Sequence, residues 1–212
     1  MIDYVKGLAQ ERRENPGNDV ISRIATSEVD GERLSDQDVA YSAALLLGAG
    51  AETSASTTMQ GLWKLTQHPD QLAARRNDFE LLAPKAVEEM LRVASAVICF
   101  RRTATKDTEL RGAQIKAGQK VVIFYESANN DETHFEAPDR FDITRDPNRH
   151  VSFGGFGPHL CLGAPLARRE ITSFFRKLFE RFTDIEILEA PQFAPNQRFN
   201  IITSMPVRLT LR

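Results

Sequence analysis

The stretch HVSFGGFGPHLCLGAPLARRE, residues 150–170, decides the reading of this chain. Gly154, Gly155 and Gly157 allow backbone conformations and close approaches that a Cβ would forbid. Cys161 closes the glycine-rich loop, and a helix is predicted from Leu162 to about Arg181. At the mouth of a helix, unpaired N–H groups and the positive end of the dipole favour a thiolate over a thiol. Such a loop suits a flat ligand lying against the backbone.

One thiolate makes a poor zinc site but a sufficient axial ligand for haem iron. Two other readings of the same residues stay open. Cys161 is a buried free cysteine in a glycine turn, or a nucleophile paired with His159, although an i, i+2 pair need not converge.

Outward from this loop the chain reads as an ordinary globular sequence. Its 212 residues are 42% hydrophobic and 26% charged, enough for a sizeable core. A net charge of −2 gives no basic field for nucleic acid or an anionic membrane. No apolar run reaches the length of a membrane span, and the start, MIDYVKGLAQERRENPG, is charged and helical rather than leader-like, so the expected location is the cytoplasm. Cys99 and Cys161, with no Cys-x-x-Cys, argue against a disulfide scaffold or a zinc ribbon.

The predicted elements give an α+β fold, mainly α. A helix covers residues 1–13 and stops at Asn15-Pro16-Gly17, a short one follows over 19–26, and a turn falls at Asp30-Gly31. Ser35, with Asp38 three residues on, opens a long helix to about Gln67, roughly 48 Å at 1.5 Å per residue. Pro69 restarts a short helix, and another spans Pro84 to Ala94. Residues 99–125 hold short strands such as 120–124, residues 130–150 form an irregular loop, and a hairpin pairing 185–188 with 206–212 ends the chain.

The run Phe153-Gly-Gly-Phe-Gly157-Pro-His159-Leu-Cys161-Leu-Gly163, continued by Ala164-Pro-Leu-Ala-Arg168-Arg-Glu170, resembles the cysteine-ligand loop of the cytochrome P-450 family, haem-thiolate monooxygenases, in its soluble bacterial form. Three further motifs stand in the expected order, so the resemblance takes in nearly the whole chain. It implies the C-terminal part of that fold, with haem b held by Cys161 as the metal ligand and by a cradle of Phe153, Gly155, Gly157 and Gly163. It implies that Arg102, in Phe100-Arg-Arg-Thr-Ala104, and His159 each contact a haem propionate. On the long helix, Gly48, Ala49 and Gly50 make a flat strip beside Glu52 and Thr53. The residues alone favour a close helix crossing there. The resemblance implies instead that the strip lies over the distal haem face and that Glu52 and Thr53 relay protons during dioxygen activation.

Glu89-Met-Leu-Arg92 matches the family's Glu-x-x-Arg, and the resemblance implies a buried structural triad completed by Arg140 of Pro138-Asp-Arg-Phe141. Val97, Ile98 and Cys99, with Phe199 to Ile201, match segments that line a substrate pocket, although a plain core explains them equally. The implied function is hydroxylation of a hydrophobic small molecule (a sterol, lipid or terpenoid) with dioxygen as co-substrate. Electrons would come from a ferredoxin- or flavodoxin-like donor near Arg168 and Arg169, which otherwise read as solvated helix residues.

Two departures from the family pattern stand out. Phe153 lies eight residues before Cys161 and Phe156 five, whereas the common spacing is seven, which leaves open which phenylalanine shields the sulfur. Met1 also falls where the family's domain is about half complete, so residues 1–212 read as one partial domain lacking its N-terminal half. Exposed apolar surface and self-association are expected of such a piece. The rival functions are a fragment that binds haem weakly or needs a complementing chain, and a Cys–His hydrolase. The second explains neither the Glu89–Arg92 motif nor the Glu52–Thr53 strip.

Overall fold

The computed structural model describes every residue except Phe156. The chain divides into two units, Met1–Glu52 and Thr53–Arg212, with the boundary inside one long helix.

The first unit holds α1 (Ile2–Glu14), α2 (Val20–Thr26), strands β1 (Glu28–Val29) and β2 (Glu32–Arg33), and the start of α3 (Asp36–Thr66). Asp19 caps α2, its Oδ1 accepting the Ser22 N–H at 2.8 Å. Ser35 opens α3 as predicted: its Oγ accepts the Asp38 N–H at 3.2 Å and donates to Asp38 Oδ2 at 2.6 Å. Asp30 and Gly31 both take positive φ, +54° and +82°. Two such residues in succession make the tight turn whose twist matches a hairpin, so the expected turn joins β1 to β2. Ala9, Ala25 and Val39 form this unit's small core.

The second unit contains the rest of α3, then α4 (Pro69–Asn77), α5 (Phe79–Ala94), β3 (Cys99–Thr103), β4 (Thr108–Leu110), β5 (Ala113–Ile115), β6 (Lys120–Phe124) and α6 (Tyr125–Asn129). After the long loop come α7 (Ala164–Arg181), β7 (Phe182–Ile187), β8 (Gln192–Phe193), β9 (Ile202–Ser204) and β10 (Val207–Leu211). Among the described residues the strands of this unit pair as antiparallel couples: β3 with β6, β4 with β5, β7 with β10, and β8 with β9. This is the helix-dominated α+β arrangement expected. No helix among the described residues is long and apolar enough to cross a membrane.

The core of this unit lies between α5 and α7. Val87, Met90 and Leu91 recur at helical spacing on α5 and meet Ile171, Phe175, Leu178 and Phe179 of α7. Leu62 and Leu65 of α3 and Phe141 and Ile143 of the loop close the cluster. Gly61 lets α3 approach α5, because a Cβ there would lie 2.7 Å from Met90 Cγ and Sδ.

The start of α5 differs from expectation, β7 begins three residues early, at Phe182, and the short helix α6 was not expected. The helix predicted to begin at Pro84 begins five residues earlier, at Phe79, with Pro84 inside it. Proline removes one helical hydrogen bond. Packing compensates: the Phe79 ring stands edge-on to Phe179 at 6.2 Å and carries the buried Arg75 guanidinium at 4.0 Å. Burial, reinforced by the neighbouring Arg176 cation, pushes the Arg75 pKa down to about 10.

Candidate active site around Cys161

Glu89 and Arg92 are both fully buried on α5. Arg92 donates through Nε to Glu89 Oε2 and through Nη2 to Oε1, each at 2.8 Å, a two-pronged contact that fixes both side chains. The carboxylate also accepts the Asp142 N–H at 2.9 Å, Asn148 Nδ2 at 2.9 Å and Arg145 Nε at 3.2 Å. Arg92 spends its remaining donors on the carbonyls of Asn129, Pro138 and Arg140 at 2.9–3.1 Å. Every partner beyond α5 belongs to the irregular loop or the residue that opens it. The helix therefore organises that loop from inside, where an unpaired charge would be costly.

The third cation at this centre is Arg145. The Arg140 side chain, expected there, is 71% exposed and sits 3.9 Å from Asp142, contributing only its carbonyl. Ala137, at positive φ, turns the chain just before Arg140, while Arg145 reaches back to the carbonyls of Glu136, Ala137 and Arg140. Glu-x-x-Arg was legible as a motif. Its completing arginine was not, because two loop arginines five residues apart both satisfy the composition.

A second anchor was not anticipated. Asn129, fully buried, donates to Ser95 Oγ at 2.9 Å and Ser152 Oγ at 2.8 Å, and its Oδ1 accepts the Val151 N–H at 2.8 Å. Ser152 Oγ in turn donates to the Leu91 carbonyl at 2.7 Å. Beside it, Glu88 accepts Arg168 Nε at 2.6 Å and Nη2 at 2.8 Å and lies 3.0 Å from His150 Nε2. Burial alone would raise the Glu88 pKa, but the hydrogen bonds from Arg168 and His150 outweigh it and hold it at about 2. Its hydrogen bonds to Glu88 raise the Arg168 pKa above the ordinary guanidinium value, against the opposing effect of burial.

These anchors position the cysteine loop. Phe153, half-buried against the core, lies under Arg168 at 4.7 Å, and its carbonyl accepts the Cys161 N–H at 3.0 Å. Gly154 and Gly157 take φ of +83° and +119°, which side chains rarely adopt, so glycine is required at both. Gly155 lacks that constraint, and a Cβ there would meet nothing within 4 Å. Cys161 is exposed, and the Leu160 and Leu162 side chains beside it are 56% and 83% exposed. Gly163 caps α7, and a Cβ on it would come within 3.8 Å of Cys161 Sγ. His159 is exposed on the same loop. Phe156, the other phenylalanine of the loop, lies outside the described residues; Phe153 packs against Arg168 and His150.

Two segments distant in sequence, both expected to line a substrate pocket, meet in the fold. Ile98 N–H donates to the Arg198 carbonyl at 2.8 Å, Asn200 N–H to the Ala96 carbonyl at 2.9 Å, and Val97 pairs with Phe199. Cys99 Sγ lies 3.7 Å from the Gln197 carbonyl. Residues 97–99 and 199–201 thus form one lip, leading into β3, where Arg102 is exposed over the Phe100 ring at 5.9 Å. Ala49, Gly50 and Glu52 lie on an exposed stretch of α3 in the first unit, and a Cβ at Gly48 or Gly50 would meet nothing within 4 Å. Thr53 begins the second unit.

The sequence profile of the cytochrome P450 family matches residues 2–209. The chain belongs to the cytochrome P450 family. A methyl-branched lipid omega-hydroxylase of Mycobacterium tuberculosis is 45% identical over 204 residues, 96% of this chain and 48% of that protein. A steroid C26-monooxygenase of Mycolicibacterium smegmatis is 40% identical over 192 residues, 91% of this chain and 44% of its own length. A solved Mycobacterium marinum cytochrome P450 in complex with pseudoionone superposes with a TM-score of 0.93 at 45% identity, covering 97% of this chain and 50% of its own. The chain spans about half the length of the curated relatives it matches. In this fold Glu88 of α5, Asn129 of α6 and Arg168 of α7 supply the side chains that hold the cysteine loop.

Proposed function

We propose that this chain carries the thiolate side of a haem-dependent monooxygenase acting on a hydrophobic small molecule. The observation that carries this reading is Cys161 itself. It is an exposed thiol, with its backbone N–H bonded to Phe153, on a loop tied to Glu88 of α5 through His150 and to the buried Asn129 through Val151. The residues present fit a flat macrocycle: a single soft sulfur donor, glycines at 154 and 157 in a backbone conformation that side chains rarely adopt, and, among the described residues, nothing within 4 Å of a Cβ built on Gly155. Bound haem would supply dioxygen activation, for which a thiolate ligand donates electron density.

The protein's own residues would act around that group. Cys161 would hold the metal, while Arg102 and His159 would meet carboxylates at the rim. The lip formed by Val97, Ile98 and Cys99 with Phe199 and Ile201 would contact an apolar substrate. Glu52 and Thr53 are assigned proton delivery on the resemblance of their motif. The activities for which the two relatives are named, omega-hydroxylation of a methyl-branched lipid and oxidation of a steroid at C26, support a lipid or sterol-like substrate oxidised near a chain terminus. Electrons would come from a ferredoxin- or flavodoxin-like donor, and Arg169, exposed on α7, is the cation available to meet it.

The test is the carbon monoxide difference spectrum of the purified chain after haem addition and reduction. A strongly red-shifted Soret band that disappears in Cys161→Ala is expected. Haem that stays loosely bound, with no such band, would overturn the reading for this chain.

A further inference from the structure

Glu88 lies next to Glu89 in sequence, yet its carboxylate serves a different purpose. It accepts both Nε and Nη2 of Arg168 from α7, and it meets Nε2 of His150, the residue that begins the cysteine loop. The other nitrogen of His150, Nδ1, accepts the Ser152 N–H at 3.2 Å. A backbone N–H can only donate, so Nδ1 is the acceptor and Nε2 carries the hydrogen bonded to Glu88. One carboxylate therefore grips the loop at its start, through His150, and beyond its end, through Arg168.

The chain of contacts continues to the sulfur-bearing residue. Arg168 lies over the Phe153 ring at 4.7 Å, His150 lies 6.0 Å from the same ring, and the Phe153 carbonyl holds the Cys161 N–H. We propose that Glu88 and Arg168 are positioning residues for Cys161: Glu88 aims the Arg168 guanidinium onto Phe153, and Phe153 fixes the backbone from which the thiol projects. Arg168 is thus not the free docking cation that its place in the motif suggests, since two of its donor atoms are committed to Glu88. What Cys161 does once positioned rests on the haem-thiolate reading. The positioning does not.

Hydrogen–deuterium exchange of the purified chain tests this without any cofactor. In Glu88→Gln and in Arg168→Gln, peptides covering residues 150–163 should exchange roughly fivefold faster or more, while α5 peptides around Glu89 and Arg92 keep wild-type protection. Arg169→Ala should change neither. Should the glutamine variants lose protection throughout, Arg168→Lys decides: it keeps the cation but not the two-pronged contact, and selective loosening of the loop is still expected. Unchanged loop exchange in a folded variant overturns the proposal.

A spectroscopic readout separates positioning from partner docking. With haem bound and no redox partner present, the reduced carbon monoxide complex of Arg168→Gln should move part of its Soret band to shorter wavelength. A docking cation would leave that band unchanged, and that outcome also counts against the proposal. If the wild-type chain itself shows no thiolate band, the haem-thiolate reading fails, and the exchange result still judges the positioning.

Discussion

Arg140 and Arg145 differ by five positions and by everything that matters energetically. Arg145 reaches Glu89 with a side chain 11% exposed, whereas the Arg140 side chain points to solvent. Removing one partner from a buried ionic centre leaves an uncompensated charge, at a cost of about 3–5 kcal/mol for a two-member pair. Glu89 keeps Arg92 when Arg145 is lost, so Arg145→Ala should destabilise the chain by a smaller amount, about 1–3 kcal/mol. Arg140→Ala should stay within about 0.5 kcal/mol of wild type, as an exposed substitution does. Paired urea melts of the two variants check this, and equal losses would show that Arg140 does carry the triad. Sequence reading reached the right chemistry here, a second arginine on a buried carboxylate, but chose the wrong residue. Both arginines lie in a loop without periodicity, and the one that points inward is the one whose donors meet Glu89 and the carbonyls of Glu136, Ala137 and Arg140.

At the scale of elements, the sequence pattern placed α1, α2, α3, α7, β6 and β10 within two residues, whereas α6, β8 and β9 were not anticipated. The exceptions are instructive. Pro84 argued for a helix start, and the contacts of Phe79 with Phe179 and Arg75 override it. The α3–α5 crossing is another tertiary decision, since Gly61 carries no mark in the sequence that distinguishes it from Gly48 or Gly50. Only Gly61 faces a neighbour, Met90, at 2.7 Å from its would-be Cβ. Gly61→Ala should therefore overpack the crossing and lower stability by about 1–3 kcal/mol, partly relieved by the flexible methionine. Gly48→Ala should be neutral or slightly stabilising, because alanine is the better helix former and meets nothing there. Thermal denaturation followed by circular dichroism would rank the two. A Gly61→Ala protein as stable as wild type would mean that α3 and α5 stand further apart.

At the scale of the molecule, the cysteine loop is held from two helices by charged groups, so its integrity depends on pH. Glu88 is the group with the clearest consequence. Its folded pKa, about 2, lies below that of an unfolded glutamate, so its contribution is complete above the ordinary carboxylate range and is lost as pH falls from there toward 2. With its side chain 26% exposed, that contribution is roughly 2 kcal/mol after allowance for screening. The difference in stability between wild type and Glu88→Gln should be largest near pH 6 and should shrink steadily below pH about 4.5. Melting curves at a series of pH values measure it directly. A gap that widens on acidification would reverse the sign and remove Glu88 as the holding group.

What the sequence by itself determined is the set of local chemical demands. The loop residues from Phe153 to Gly163, the Glu-x-x-Arg pair and the Ser35 cap are each legible because their partners lie within a few residues or within one motif. These residues sufficed to reach the family and the candidate metal ligand. Tertiary structure alone decided which arginine completes the Glu89 centre, that Glu88, His150 and Arg168 converge, and that residues 97–99 meet 199–201. Those contacts join positions about 50 to 100 residues apart. Their strength comes from burial and from pairing charges away from water, and neither leaves a periodic trace in the order of the amino acids.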